Sequence, residues 1–174
     1  MSNHSGGQRV AKQREPLIRI EPGFESRWPG ASALASELLI NIEYTRQRSV
    51  AYLQEIVRKH GISSLTAFNV LAIVEGAGEP LLPSIIAERM VMSRGTITEI
   101  LDTLERRRLV RRLPHEVDRR MRLVEVTPEG VARLEAVRPE FHQAEQRLVR
   151  TLTKTQQRQM LQLVAALQAD LPQP

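Results

Sequence analysis

The hydrophobic rhythm of this chain changes once, and that change limits what it can fold into. From residue 31 onward apolar residues recur every three or four positions, the spacing of helices that bury one face. Between Leu109 and Val126 the rhythm gives way to two short runs, Leu109-Val110-Arg111-Arg112-Leu113 and Arg122-Leu123-Val124-Glu125-Val126. The second alternates and is rich in β-branched residues, and both read as strands. The linker from Pro114 to Met121 is charged and too long for a two-residue turn, so it reads as a loop projecting from a hairpin. A single hairpin among helices predicts a mainly α (α+β) fold.

The helices are marked by their ends. Leu34, Leu38, Ile42, Leu53, Ile56 and Val57 give residues 31–59 a mostly helical spacing, closed by Gly61. Ser64 suits the N-cap of a second helix, with Leu65, Phe68, Leu71 and Ile73 or Val74 inward and Gly76 at its end. Pro80 and Pro83 bracket the start of a short helix, Ile85 to Arg89. Ser93 is the next N-cap, followed by Ile97, Ile100, Leu101 and Leu104 on one face. After the hairpin, Thr127 caps a helix with Pro128 in its first position. Its apolar positions are Val131, Leu134, Val137, Phe141, Leu148 and Leu152, and Pro139 within it predicts a kink or break. Thr153 or Thr155 caps a last helix carrying Met160, Leu163, Val164, Leu167 and Leu171. Seven of the nineteen Gly and Pro residues lie in the first thirty positions. Residues 1–30 therefore read as a flexible or loosely docked extension, in which Leu17, Ile18, Ile20, Phe24 and Trp28 are available for packing.

Charge is concentrated in the same region as the hairpin. The net charge of the chain is +5. Arg89 to Arg122 holds ten Arg and five acids (Glu99, Asp102, Glu105, Glu116 and Asp118), and the rest of the chain sums to zero. With 22 Arg against three Lys, part of this is compositional preference, and Arg111 and Arg112 fit a salt-bridged surface as well as a binding face. Arg106 to Arg108 sit at a helix C-terminus, where positive charge is stabilising even without a partner.

The succession short helix, tight turn, helix, hairpin with polar loop is that of a winged helix-turn-helix. Such a unit puts a helix with short polar side chains at its N-terminal end into the major groove of double-stranded DNA. Ser93, Arg94, Gly95, Thr96 and Thr98 supply that end. Arg119 and Arg120 fall at the wing tip and Arg122 just inside the strand, where arginine suits a narrow minor groove.

The stretch from Leu65 to Gly130 resembles the multiple-antibiotic-resistance regulator (MarR) family of transcription factors. Leu65-Thr66-Ala67-Phe68-Asn69-Val70-Leu71 is similar to its LT-x-x-F-x-VL opening, and Ala87 to the small residue in its first helix-turn-helix helix. Leu104-Glu105, Leu109-Val110, Asp118-Arg119-Arg120, Thr127 and Gly130 are similar to its signature in kind and spacing. The resemblance implies an obligate homodimer with interlocked first and last helices, DNA contact by the recognition helix, and a wing-tip Arg120 oriented by Asp118. Three positions depart from the pattern. Glu99 stands where a small, polar or basic residue is usual, and an acid there is repelled by phosphate but can accept from cytosine N4. Arg108 replaces the usual Gly after the recognition helix, costing about 1 kcal/mol if the backbone there is left-handed. Val91 occupies a turn position where Gly is common.

The expected division is an extension over 1–30, an N-terminal dimerisation helix over 31–62, a winged helix-turn-helix lobe over 63–130 and C-terminal dimerisation helices over 131–174. The apolar stripes of 31–59 and 131–171 exceed what one monomer covers, which also points to a helical dimer. The expected function is a cytoplasmic, ligand-responsive repressor bound as a homodimer to a pseudo-palindromic operator. The family resemblance implies a small aromatic or phenolic effector, for which Trp28, Tyr44, Arg48 and Phe68 are candidate contacts, with plain packing the simpler role of each. No cofactor, metal or catalytic group is expected. Cys is absent, no Ser/His/Asp arrangement or Gly-rich phosphate loop appears, and no apolar run approaches a membrane span. His115 with Glu116 and Asp118, and His142 with Glu145, leave a metal-responsive regulator as a weak alternative, beside a winged-helix adaptor that binds protein instead of DNA.

Overall fold

A computed structural model of the chain describes residues 17–115, 117–118 and 120–171. They fall into two compact units divided after Arg48. Of the expected extension over residues 1–30, residues 1–16 lie outside the described residues.

In the first unit, residues 17–20 are held along a helix by its polar side chains. Asn41 Oδ1 accepts from the Ile18 N–H at 3.0 Å, while its amide nitrogen donates to the Ile18 carbonyl at 2.9 Å. Glu37 accepts from the Ile20 N–H at 2.9 Å and from the Arg19 guanidinium at 2.8 Å. These two donors, Ile20 first, hold the Glu37 carboxyl below its ordinary value. A four-residue helix α1 (Phe24–Arg27) follows Gly23, whose φ of 87° is left-handed. Glu25 accepts from the Ala33 N–H at 2.9 Å, satisfying a free donor at the start of α2 (Ala33–Lys59).

The second unit contains the end of α2, then α3 (Leu65–Gly76), α4 (Pro83–Met90), α5 (Arg94–Arg106), β1 (Val110–Pro114), β2 (Arg122–Val126), α6 (Pro128–Val149) and α7 (Lys154–Ala169). The expected N-caps form, each hydroxyl accepting from the N–H three residues on: Ser64 from Ala67, Ser93 from Thr96, Thr127 from Gly130 and Thr153 from Gln156. The short helix starts two residues before the expected Ile85 and ends one later, because Pro83 takes a first-turn position where its missing N–H costs nothing. The first strand starts one residue later than read, and the second coincides with its expected span. The break allowed for at Pro139 does not occur, and α6 continues to Val149. Val137 and Phe141, both buried, hold the helix on either side of the proline, and Phe141 packs on Phe68 with ring centroids 4.4 Å apart.

The core of this unit lies among α3, α4, α5, the hairpin and α6. Val57, Val70, Leu71, Ile86, Ile97, Leu101, Leu104, Val124, Leu134 and Val137 are completely buried. Lys59 and His60, at the end of α2, both bind Glu140 of α6, at 3.0 and 2.9 Å. Chiefly through His60, they hold that carboxyl below its ordinary range. Three helices end in the same manner. The N–H of Ile62 reaches the Val57 carbonyl, Met92 that of Ala87, and Leu109 that of Leu104, each at 2.9–3.0 Å. The residues between, Gly61, Val91 and Arg108, have φ of 79°, 51° and 59°. Glycine takes this conformation freely, while Val91 and Arg108 each carry strain of about 1–2 kcal/mol.

Gly130 is required by packing. A Cβ built on it stands 2.2 Å from the Leu109 carbonyl oxygen and 2.6 Å from a methyl of Val126. Backbone cannot swing aside as a flexible side chain would. Gly130→Ala is therefore expected to destabilise the fold by about 1–3 kcal/mol, seen as a lower denaturant midpoint at unchanged slope. A midpoint equal to wild type would show that α6 can back away from the hairpin.

Candidate nucleic-acid interface

The apolar and polar residues of α5 segregate around its axis. Ile97, Leu101 and Leu104 are fully buried, while Arg94, Gly95, Thr98 and Glu99 are exposed on the opposite side. The N-terminal polar groups are in part self-satisfied. Ser93 Oγ accepts from the Thr96 N–H at 3.1 Å and shares a 2.8 Å hydrogen bond with the Thr96 hydroxyl. Thr98 donates to the Arg94 carbonyl at 2.9 Å, which leaves its oxygen lone pairs outward. The first turn thus presents an arginine, a glycine and hydroxyl groups at the positive end of the helix dipole.

Of the basic residues in this segment, four have side-chain partners among the described residues, Arg106 through a 3.0 Å bond to the Thr103 hydroxyl within α5. Arg111 lies opposite Glu125 in the strand register and bonds it at 3.0 Å. Arg112 reaches from β1 onto α5, donating to Asp102 and to Glu105 at 2.6 Å each while its own N–H also meets Glu105. Its side chain is 26% exposed. Burial pulls the Arg112 pKa down, but the bond to Asp102 and the two neighbouring negative charges outweigh it and the net shift is upward. Arg107 donates to the Gly61 carbonyl at 3.2 Å, capping the end of α2. Arg89, Arg94, Arg106, Arg108, Arg120 and Arg122 have no carboxylate at ion-pair distance among the described residues.

β1 and β2 pair antiparallel from Val110–Val126 to Pro114–Arg122. Leu81, just before α4, exchanges two hydrogen bonds with Val124 at 2.7 and 2.9 Å, so the middle of β2 is held on both sides. The loop has its own order. His115 Nδ1 accepts from the N–H groups of Val117 and Asp118, and the Met121 N–H donates to the Asp118 carbonyl at 3.0 Å. Asp118 Oδ1 accepts from the Arg120 N–H at 2.9 Å. Asp118 therefore orients Arg120 through the main chain, an Asx turn that sets where the guanidinium leaves the loop. Arg119 lies outside the described residues.

Other residues singled out from the sequence fall elsewhere. Trp28, Tyr44 and Arg48 belong to the first unit. Trp28 is 59% exposed, and the Arg48 guanidinium sits 5.6 Å from the centroid of the Tyr44 ring and 3.2 Å from its hydroxyl. Phe68 is in the core of the second unit, against Phe141. His142 pairs with Glu145 at 2.9 Å on the surface of α6, and no three His, Asp or Glu gather as a metal would need among the described residues. No helix is long and apolar enough to cross a membrane among the described residues.

Sequence reasoning allowed Arg112 a salt-bridged role without naming its partners. The visible signal was two acids three residues apart, Asp102 and Glu105, on one side of α5, with an arginine entering the next strand. Arg112→Ala is expected to lower stability by about 2 kcal/mol, by removing two charge-assisted bonds between hairpin and helix. Arg112→Lys should recover less than half of this in denaturant titrations, since an ammonium does not supply the two-pronged geometry. Full recovery by Lys would reduce the interaction to simple charge.

A family model described as the MarR family matches residues 60–121. The chain is 30% identical over 94 residues to the HTH-type transcriptional regulator MhqR of Bacillus subtilis, covering 54% of this chain and 63% of that protein. It is 29% identical over 118 residues to the HTH-type transcriptional regulator PapX of Escherichia coli, covering 67% and 70%. The chain thus spans less than two thirds of the MhqR length. Among solved structures, a mutant MarR from E. coli complexed with operator DNA superposes with a TM-score of 0.66 at 26% identity, covering 75% of this chain and 91% of that one.

Proposed function

We propose, from its similarity to the MarR family, that the chain is a homodimeric regulator of transcription that binds double-stranded DNA in a sequence-specific manner. The observation that carries this reading is the exposed polar side of α5, bordered by arginines that have no carboxylate partner among the described residues. Its two recognition helices enter successive major grooves of a pseudo-palindromic operator, about 34 Å apart, while Arg119, Arg120 and Arg122 of each wing approach the adjoining minor grooves. It acts in the cytoplasm as a repressor. Occupancy of DNA is controlled by a small aromatic or phenolic acid that prefers a different spacing of the two lobes. The pairing of Arg48 with the Tyr44 ring supports that choice of effector, since a guanidinium beside an aromatic face suits a ring bearing a carboxylate.

Dimerisation is favoured by the apolar surface that each unit leaves in water. Leu34, Leu38, Leu39, Ile40 and Ile42 are exposed on α2. On α7, Met160, Leu161, Leu163, Val164 and Leu167 are exposed, and the helix has no buried residue. A helix of this length is marginal without tertiary packing. Wild type is expected to sediment as a dimer at micromolar concentration, and Leu163→Glu with Leu167→Glu to give a monomer with reduced helix content. A wild-type monomer with full helicity would contradict the homodimer.

The DNA reading is tested by fluorescence anisotropy on duplexes from the upstream intergenic region. Affinity should fall by at least about a hundredfold between 50 and 200 mM salt. Arg120→Ala should weaken binding and reduce the slope of log affinity against log salt by about one. Binding that ignores both salt and Arg120→Ala would rule the reading out.

A further inference from the structure

We infer that Glu99 is a specificity-determining residue, which selects cytosine at one position of each operator half-site. The inference rests on the DNA-binding reading above and concerns the acids of the segment rather than its arginines. Five acids lie between Arg89 and Arg122. Asp102 and Glu105 are held by Arg112. Asp118 accepts from the Arg120 main chain. Glu116 lies outside the described residues. Glu99 is exposed on the polar side of α5, and no cation pairs with it among the described residues. Among the described residues from Arg89 to Arg122 it is the acid whose carboxylate takes no hydrogen bond, beside arginines that have no carboxylate partner.

A second observation concerns Gly95, one helical turn before Glu99. A Cβ at Gly95 would meet only Ser93 Oγ, at 3.9 Å, and its φ is not among the positive ones. Alanine would fit there and would favour the helix more, so neither packing nor backbone geometry of this chain demands glycine. Side chains on a helix lean toward its N-terminus, which carries the Glu99 carboxylate over the notch left at Gly95. The notch lets another molecule come close to the helix backbone at the place where the carboxylate is presented.

The chemistry of the major groove then selects the base. A carboxylate only accepts hydrogen bonds, so phosphates, guanine O6 and N7, and thymine O4 all repel it. The groove offers two donors, the amino groups of cytosine N4 and adenine N6. Adenine places its N7 lone pair beside that donor, against the second carboxylate oxygen, which leaves cytosine as the base that accommodates Glu99. Most of the selectivity comes from exclusion: duplexes lacking cytosine at this position face an unpaired, desolvated negative charge.

The test is selection from a randomised duplex library by the full-length protein, followed by affinities on single-base operator variants, with wild type, Glu99→Ala and Glu99→Gln. All three should melt together, because Glu99 is exposed. Wild type should require cytosine at one position per half-site, with about a tenfold or greater loss for any other base there. Glu99→Ala should accept all four bases at that position, keep its preferences elsewhere, and bind random duplex more tightly at the same salt. Glu99→Gln should move the preference toward adenine, which glutamine meets with a donor and an acceptor. If Glu99→Ala retains every wild-type base preference, the inference fails while the DNA-binding reading stands. If wild type binds no duplex at any salt, both fall together.

Discussion

The second unit depends on one close contact between main chains, at the point where Gly130 lies against the Leu109 carbonyl. Four elements meet there: α5 ends, β1 begins, β2 ends and α6 begins. Thr127 binds them, its N–H donating to Leu109, its hydroxyl donating to Arg108, and the same oxygen accepting from Gly130. The residue that lets α5 turn into the strand is Arg108, in a left-handed conformation. The strain at Arg108 is held by bonds that also start the next long helix. Helix α5, the hairpin and α6 thus share an origin, and no one of them can be repositioned without disturbing the others.

What was legible in the sequence is largely what is local. The four caps, the strands and the helical stripes follow from side chains within a turn or two of one another, and they form nearly where read. The left-handed positions were visible as departures: Val91 and Arg108 stand where glycine is usual, and both have positive φ. Non-local features were not legible. Arg112 finds its acids seven and ten residues back on another element. Pro139 looks like a break because helix propensity is a local rule, and burial of Val137 and Phe141 overrides it. Asp118 accepts from the main chain of Arg120, and whether an acid at that position meets a backbone N–H or a guanidinium is a distinction that spacing alone does not carry.

The charge of the segment from Arg89 to Arg122 looks uniform in composition and is divided in structure. Arg111, Arg112 and Arg107 are committed to strand pairing, to the hairpin–helix joint and to the end of α2. Among the described residues, the arginines without carboxylate partners include those at the start of α5, at its exposed end and on the wing. A net charge summed over the segment misses this division, because two of the acids that offset it, Asp102 and Glu105, are held by Arg112 at the hairpin–helix joint.

The identity of those cations has a further consequence. The three lysines of the chain are Lys12, Lys59 and Lys154, and none lies between Arg89 and Arg122. Guanidinium groups stay protonated throughout the physiological pH range and are not substrates for lysine acylation. The positive face of α5 and the wing therefore keeps its charge whatever the acidity or the acetyl-donor supply of its surroundings. A signal that loosened the hold of this face on a polyanion would therefore not act by deprotonating or acylating its cations.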